Sequence, residues 1–391
     1  MDACQIELHK YLDFINNRTV VRLGLDSWRH LVQLLPKAKP IVITVAGTNG
    51  KGSFVAIISK ALTKAGIANA AYTSPHLFDF KERLLLNGNM LDNSSWLAAF
   101  KWLEANSVDV DLSPFEFYTL SALYLAYQAS VEVLLLEVGM GGRYDAVNVI
   151  DPDYAVITEI DLDHTERLGE TVSEIAYQKA GIMRADRPAI FAGKNAINVF
   201  EDYAAEIGAK LYLCQNKFIE KPQALALPSA LAALKLSELL PFDISKEIES
   251  EVKNFSLSGR FELLAWQNKP VVFDVAHNPA AMKNLSANLK HAGFAKVGLW
   301  ISLTNTKDAK QCIASLQEVV TMACVSKHSD IMAHDCLFVS NILLEGGIRV
   351  LKCDVSYENA NKVFQGFYSA GCDVVVVTGS FQHVAMVKNS M

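Results

Sequence analysis

The segment Gly47-Thr48-Asn49-Gly50-Lys51-Gly52-Ser53 puts three glycines, one cation and two hydroxyls in seven positions. It directly follows the apolar run Ile41-Val42-Ile43-Thr44-Val45 and directly precedes a helical pattern. Successive glycines let backbone N–H groups turn inward around a phosphate, and a helix N-terminus adds its positive dipole. Lys51 supplies a cation for β/γ-phosphates, and Ser53 a hydroxyl for phosphate or magnesium. The plain alternative is an ordinary glycine-rich turn between strand and helix. The segment departs from the general phosphate-loop pattern, which wants glycine where Val45 stands and Ser or Thr where Gly52 stands.

Three further residues could carry chemistry. Glu137 closes the apolar run Val133-Leu134-Leu135-Leu136 and precedes a glycine-rich turn. Ligands of doubly wound sheets bind at carboxyl ends of strands. A buried Glu there is costly unless paired or on a metal, so magnesium ligation is favoured over a structural salt bridge. His164, in Asp161-Leu162-Asp163-His164, also follows an apolar run, and taken alone it reads as structural. Lys179 lies in a predicted helix, where most lysines are solvated. Asp274-Val275-Ala276-His277-Asn278-Pro279 would pass as a helix-capping turn.

The elements that must position these residues alternate between short apolar runs and helical patterns over the first 250 or so residues. That alternation signals βαβ units and a mainly parallel sheet. Strands are expected at 41–45, 133–136 and 154–157, with helices at 53–64 and 114–128. A second series has strands at 271–273, 297–301 and 374–377 and a helix at 279–291. Between the series, 246–258 is charged, then serine-rich, and is expected as a linker. The fold class is therefore α/β: a phosphate-loop domain at 1–256 and a smaller α/β domain at 257–391.

The chain has 391 residues, 51% of them hydrophobic and 20% charged, which excludes a disordered or fibrous protein. A formal net charge of −6 argues against gripping nucleic acid through its phosphates. No apolar stretch approaches the roughly 20 residues of a membrane span. Met1-Asp2-Ala3-Cys4 lacks a basic start followed by an apolar core, so no secretory signal is expected. The seven scattered cysteines, without a CxxC pair, fit reduced thiols in a cytoplasm.

Further blocks follow the phosphate loop. They include Thr73-Ser74-Pro75-His76-Leu77, Glu82-Arg83, and Glu137 through Gly141-Gly142-Arg143-Tyr144-Asp145-Ala146. Asp163-His164-Thr165, Gln178-Lys179-Ala180-Gly181-Ile182, Asp274 to Pro279 and Thr378-Gly379-Ser380-Phe381 come after them. In this order they resemble the folylpolyglutamate synthases of the Mur ligase superfamily. Gly24-Leu25 and Phe115-Glu116-Phe117 bring the likeness closest to the bacterial bifunctional dihydrofolate synthase/folylpolyglutamate synthases.

The resemblance implies a P-loop Mur-ligase-like domain followed by a Rossmann-like one, with ATP in the cleft between them. It implies ATP-dependent amide formation between a pterin-linked carboxylate and L-glutamate, through an acyl phosphate. Thr48, Asn49, Gly50, Lys51, Gly52, Ser53, Arg260, Asp274 and Asn278 would hold the nucleotide. Ser74, Glu137, His164 and Lys179 would hold two magnesium ions, Lys179 as a carbamate. Phe115, Glu116, Tyr144, Asp145 and Ala146 are the pterin candidates, and Lys51, Lys179 and His277 the catalytic ones. The partners implied are dihydropteroate or a reduced folate, glutamate and ATP, acting on a cytoplasmic monomer with no membrane or nucleic acid. Three features depart from the family: Ser229 for an asparagine, Ser302 to Asp308 keeping only its final Lys-Asp, and a short 193–228 stretch. A nucleotide-binding regulatory homologue without catalysis is one rival. Another is a cell-wall ligase, disfavoured because only 46 residues precede Gly47 where those ligases carry a UDP-binding domain.

Overall fold

A computed structural model describes residues 3–20, 24–214, 219–326 and 332–391. Met1 and Asp2, and residues 215–218 of the short 193–228 stretch, lie outside the described residues. The chain divides into two compact units, Met1–Glu220 with Leu227–Lys253, and Lys221–Ala226 with Asn254–Met391. Residues 221–226, expected in the first domain, go with the second unit because Ala224 packs against that unit's core.

In the first unit, strands β1 (Ile41–Ala46), β2 (Asn69–Tyr72), β3 (Leu84–Leu86) and β4 (Asn89–Met90) are joined by four more. These are β5 (Val133–Glu137), β6 (Tyr154–Ile157), β7 (Pro188–Phe191) and β8 (Lys210–Leu213), in the order β4-β3-β2-β5-β1-β6-β7-β8. Neighbours from β2 across to β8 run parallel. β1 and β5 are buried almost throughout, which is why they read as unbroken apolar runs rather than alternating ones. Their register sets Val45 opposite both Glu137 and Val156. The phosphate loop therefore leaves the sheet beside Glu137 on one flank and Thr158 on the other.

β3 and β4 form an antiparallel edge that the sequence reading did not anticipate. The helix after the loop begins at Lys51 and buries Phe54, Val55, Ile57, Ile58, Ala61 and Leu62. The linker expected at 246–258 is corrected in its first part: Ser245–Lys253 is a helix of the first unit. Ile248 and Val252, four residues apart, make one apolar face, and buried Glu251 pairs with Lys64.

The second unit holds β9 (Glu262–Trp266), β10 (Lys269–Phe273), β11 (Val297–Ile301), β12 (Val320–Val325), β13 (Arg349–Lys352) and β14 (Val374–Thr378). Their order is β13-β12-β11-β14-β10-β9, and all neighbours are parallel except β9 with β10. Both sheets are thus mainly parallel, as the fold class requires. All seven cysteines are free thiols. No helix among the described residues is long and apolar enough to cross a membrane.

Candidate functional site

The phosphate loop is held from both flanks. Thr48 N–H donates to the Glu159 carbonyl (2.6 Å), and Thr48 Oγ1 exchanges hydrogen bonds with the Asp161 backbone (3.0 Å each). Thr158 Oγ1 donates to the Asn49 carbonyl (2.7 Å), and Ser229 Oγ donates to the Gly50 carbonyl (2.9 Å). Ser229, a departure from the family asparagine, thus still braces the loop. Ser53 is buried one turn into the helix.

Gly50 is the N-cap, at φ 89°, and a Cβ there would lie 2.4 Å from Ser229 Oγ. Gly50→Ala should therefore cost about 1–2 kcal/mol for the left-handed backbone alone. The check is a thermal melt, expected to fall by several degrees, with weaker nucleotide binding.

Two amines meet on one carbonyl. Lys51 Nζ donates to Gly47 O (2.9 Å) and to Thr48 O (3.3 Å), while Lys179 Nζ donates to the same Gly47 O (3.0 Å). Lys179 is 4% exposed, so the solvated-lysine reading is overturned. It shares the inward face of the helix Val172–Ala180 with Ile175, Ala176 and Ala180. Burial, followed by repulsion from Lys51, pushes its amine down to about 7, against the opposing pull of Asp163 and Asp145.

Glu137 is buried where β5 ends, accepts from Ser74 N–H (3.2 Å), and lies 3.7–3.8 Å from where a Gly52 Cβ would be. Ser74 and Glu137 are thus brought together against the loop. His164 Nδ1 lies 3.7 Å from Glu166 Oε1. Among the described residues no three His, Cys, Asp or Glu side chains gather as a metal cage. The oxygen donors of Ser74 and Glu137 suit magnesium if phosphate oxygens complete the shell.

The pterin candidates have local duties as well. Glu116 accepts from Ser113 N–H (2.7 Å) and closes a capping box on the helix Pro114–Gln128. The Phe115 ring lies 6.2 Å from the Tyr72 ring. Asp145 accepts from Met140 N–H (2.9 Å) and Val147 N–H (3.1 Å), tying the glycine-rich turn after β5. Burial pushes its carboxyl up to about 6, although those N–H bonds pull the other way. Ala146 is buried and Tyr144 is exposed.

In the second unit the candidates cluster at the end of β10. Asp274 accepts from Phe261 N–H and Ala276 N–H (2.8 Å each); burial raises its carboxyl, opposed chiefly by Arg260. The Arg260 guanidinium lies 5.2 Å from the Phe381 ring centre, and the His277 ring 6.0 Å from it. Asn278 caps the helix Pro279–His291, accepting from Ala281 N–H (2.9 Å). The altered 302–308 loop ends with Asp308 capping the next helix through Gln311 N–H (2.9 Å). Thr158 is a neighbour of the site that sequence reasoning missed, and Arg143, quoted within a block, was given no role. Thr158 was findable as the first residue past a strand flanking β1.

A phosphate loop on a parallel sheet, with residues 45–215 matching the Mur ligase middle domain, defines a Mur-type ligase fold. A dihydrofolate synthase/folylpolyglutamate synthase of Escherichia coli K12 is 36% identical over 339 residues, 79% of this chain and 78% of that protein. The structure of E. coli FolC in complex with DHPP and ADP matches with TM-score 0.87 at 31% identity, covering 98% of this chain and 97% of that one. A bifunctional folylpolyglutamate synthase/dihydrofolate synthase from Yersinia pestis, complexed with AMPPNP and Mn ion, matches with TM-score 0.87 at 30% identity, covering 98% and 97%. The chain belongs to the dihydrofolate synthase/folylpolyglutamate synthase family.

Proposed function

We propose that this chain joins the amine of L-glutamate to the carboxyl group of dihydropteroate, of a reduced folate, or of both, at the expense of ATP. The observation that carries the reading is the convergence of Lys51 and Lys179 on Gly47 O, beside the buried Glu137. A carboxylate oxygen of the pterin substrate attacks the γ-phosphorus and ADP leaves, giving an acyl phosphate. The deprotonated glutamate amine then attacks the acyl carbon, and inorganic phosphate leaves as the amide forms.

Lys51 and the loop N–H groups bear the charge that moves onto the β/γ-bridging oxygen. Ser74, Glu137 and a carbamate on Lys179, with His164 as a further donor, would hold two magnesium ions, which neutralise phosphate charge when bound. Burial, which pushes the Lys179 amine down to about 7, supports the carbamate, since carbon dioxide adds to a neutral amine. We assign the ATP loop, metal and pterin sites to the first unit, with Phe115 as a stacking face for the pterin. Nucleotide contacts by Arg260, Asp274 and Asn278, the catalytic candidate His277, and the glutamate side go to the second. The localisation proposed is cytoplasmic, and the active form a monomer.

The test is phosphate release from ATP plus glutamate, first with dihydropteroate and then with tetrahydrofolate as acceptor. Release with neither acceptor would favour the non-catalytic rival. Glu137→Gln keeps shape and removes charge, so kcat should fall steeply and stay low at saturating ATP. Recovery at high ATP would make Glu137 a binding residue instead.

A further inference from the structure

Arg143 belongs to none of the roles assigned above, yet its surroundings are unusual. Its Nε and Nη2 are buried and have no hydrogen-bond partner, and no carboxylate among the described residues pairs with it. Leaving guanidinium N–H groups dry and unbonded is costly, so something else must favour the cation there. Two rings do so. The guanidinium carbon lies 4.4 Å from the Tyr177 ring centre and 5.2 Å from that of Tyr203, in the corner made by these near-perpendicular rings. Tyr177 belongs to the helix Val172–Ala180 and Tyr203 to the helix Ile197–Ile207.

The backbone around Arg143 is docked just as closely. Arg143 N–H donates to Gln178 O (2.8 Å), and Asn148 Nδ2 bridges Arg143 O (3.0 Å) and Gly181 O (3.1 Å). A Cβ on Gly142 would lie 3.0 Å from Lys179 Cα, and one on Gly181 would lie 2.5 Å from Arg143 Cβ. The turn after β5 therefore lies flat on the one helical turn that carries Lys179. Tyr177 and Lys179 are two residues apart, about 200° around the helix, so one points outward while the other points at Gly47. Gripping the outer ring fixes the rotation of the helix, and with it the direction of the inner amine.

We propose that Arg143 is a positioning residue, a cation–π clamp that sets the helix Val172–Ala180 so that Lys179 meets the phosphate loop. The proposal rests on the reading of Lys179 as part of the metal site. Outer residues that orient ligands typically change metal affinity 10–100-fold when lost.

The test is Mn2+ binding in the presence of ADP, read from the manganese EPR signal. Arg143→Met keeps length and loses charge, and should weaken Mn2+ binding at least about tenfold. ADP affinity without metal should stay within about twofold, which a general loosening of the fold would not allow. Tyr177→Phe keeps the ring and should bind Mn2+ like wild type, whereas Tyr177→Leu should match Arg143→Met. The double variant should be no worse than the weaker single one, because both remove the same contact. Should Arg143→Met fail to fold, Tyr177→Leu, at an exposed ring, carries the same test. Wild-type Mn2+ affinity in both variants would overturn the clamp. If the wild type itself binds no Mn2+, the metal reading falls, and amide exchange of residues 175–182 decides the clamp. Exchange at least tenfold faster in Arg143→Met supports it, and unchanged exchange overturns it.

Discussion

Lys51→Ala should leave a folded protein with less than about a tenth of wild-type turnover. Lys51 is only half-buried, and its amine contacts two loop carbonyls rather than the core. Its removal therefore takes little from packing. On the role proposed for it, what is lost to catalysis is a cation for the moving phosphoryl group, in a loop whose other donors are neutral N–H groups. Each 1.36 kcal/mol of lost transition-state stabilisation is about tenfold in rate, and one charge in such a site is worth more than that. Circular dichroism would establish the fold, and phosphate release the rate. Turnover above a tenth of wild type would sink the role assigned to Lys51.

Lys179→Ala should be as damaging, for a different reason. If the amine is carbamylated, alanine removes a negatively charged oxygen donor, and a short carboxylic acid should enter the vacated space and partly restore turnover. Near-normal activity without added acid would show that the site is built without Lys179. A collapsed mutant that acids do not rescue would leave a structural role. In protein freed of carbon dioxide, where Lys179 carries no carbamate, stability supplies a separate sign of its burial. The amine is held at about 7 in the folded chain, against an ordinary value of 10.5. Between those pH values the unfolded chain binds more protons, so the Lys179 contribution to stability grows as pH rises. It is lost as pH falls toward 7. Denaturant melts from pH 7 to 10 should therefore show a shallower rise in Lys179→Met than in wild type.

How much of this was legible in the sequence follows from where the constraints act. The strand–loop–helix placement of residues 47–53 could be read because its signals are local: glycine spacing, a preceding apolar run and a following helix lie within some twenty residues. Glu137 could be read because a strand end fixes its position. The inward direction of Lys179 was legible in principle, since Ile175, Ala176 and Ala180 share its helical face; type alone suggested solvent. Glu116 carries a capping-box signal in Ser113-Pro114-Phe115-Glu116, which competes with its reading as a pterin contact. The Asn87-Gly88 pair, at φ 48° and 78°, marks the hairpin between β3 and β4 and went unused. The clamp around Arg143 was not legible at all. Tyr177 and Tyr203 lie 34 and 60 residues further along, and only tertiary packing brings three such side chains to one corner.

The placement of β14 between β10 and β11 bears on how the second unit comes to be assembled. Val374–Thr378 is the last in chain order of the described strands, yet it is the seam of that sheet. Until it arrives, the hairpin of β9 and β10 cannot join the ribbon of β11, β12 and β13. Until then each half would lack a partner for the apolar flank that it gives to β14, Val271–Phe273 on one side and Val297–Ile301 on the other. Closing the seam spans more than seventy residues of intervening chain, a non-local step that is slow compared with helix formation. Such waiting edges are templates for pairing between chains. Lesions in Val374–Val377 should accordingly show up first as inclusion bodies and chaperone dependence during expression, before any kinetic defect can be measured.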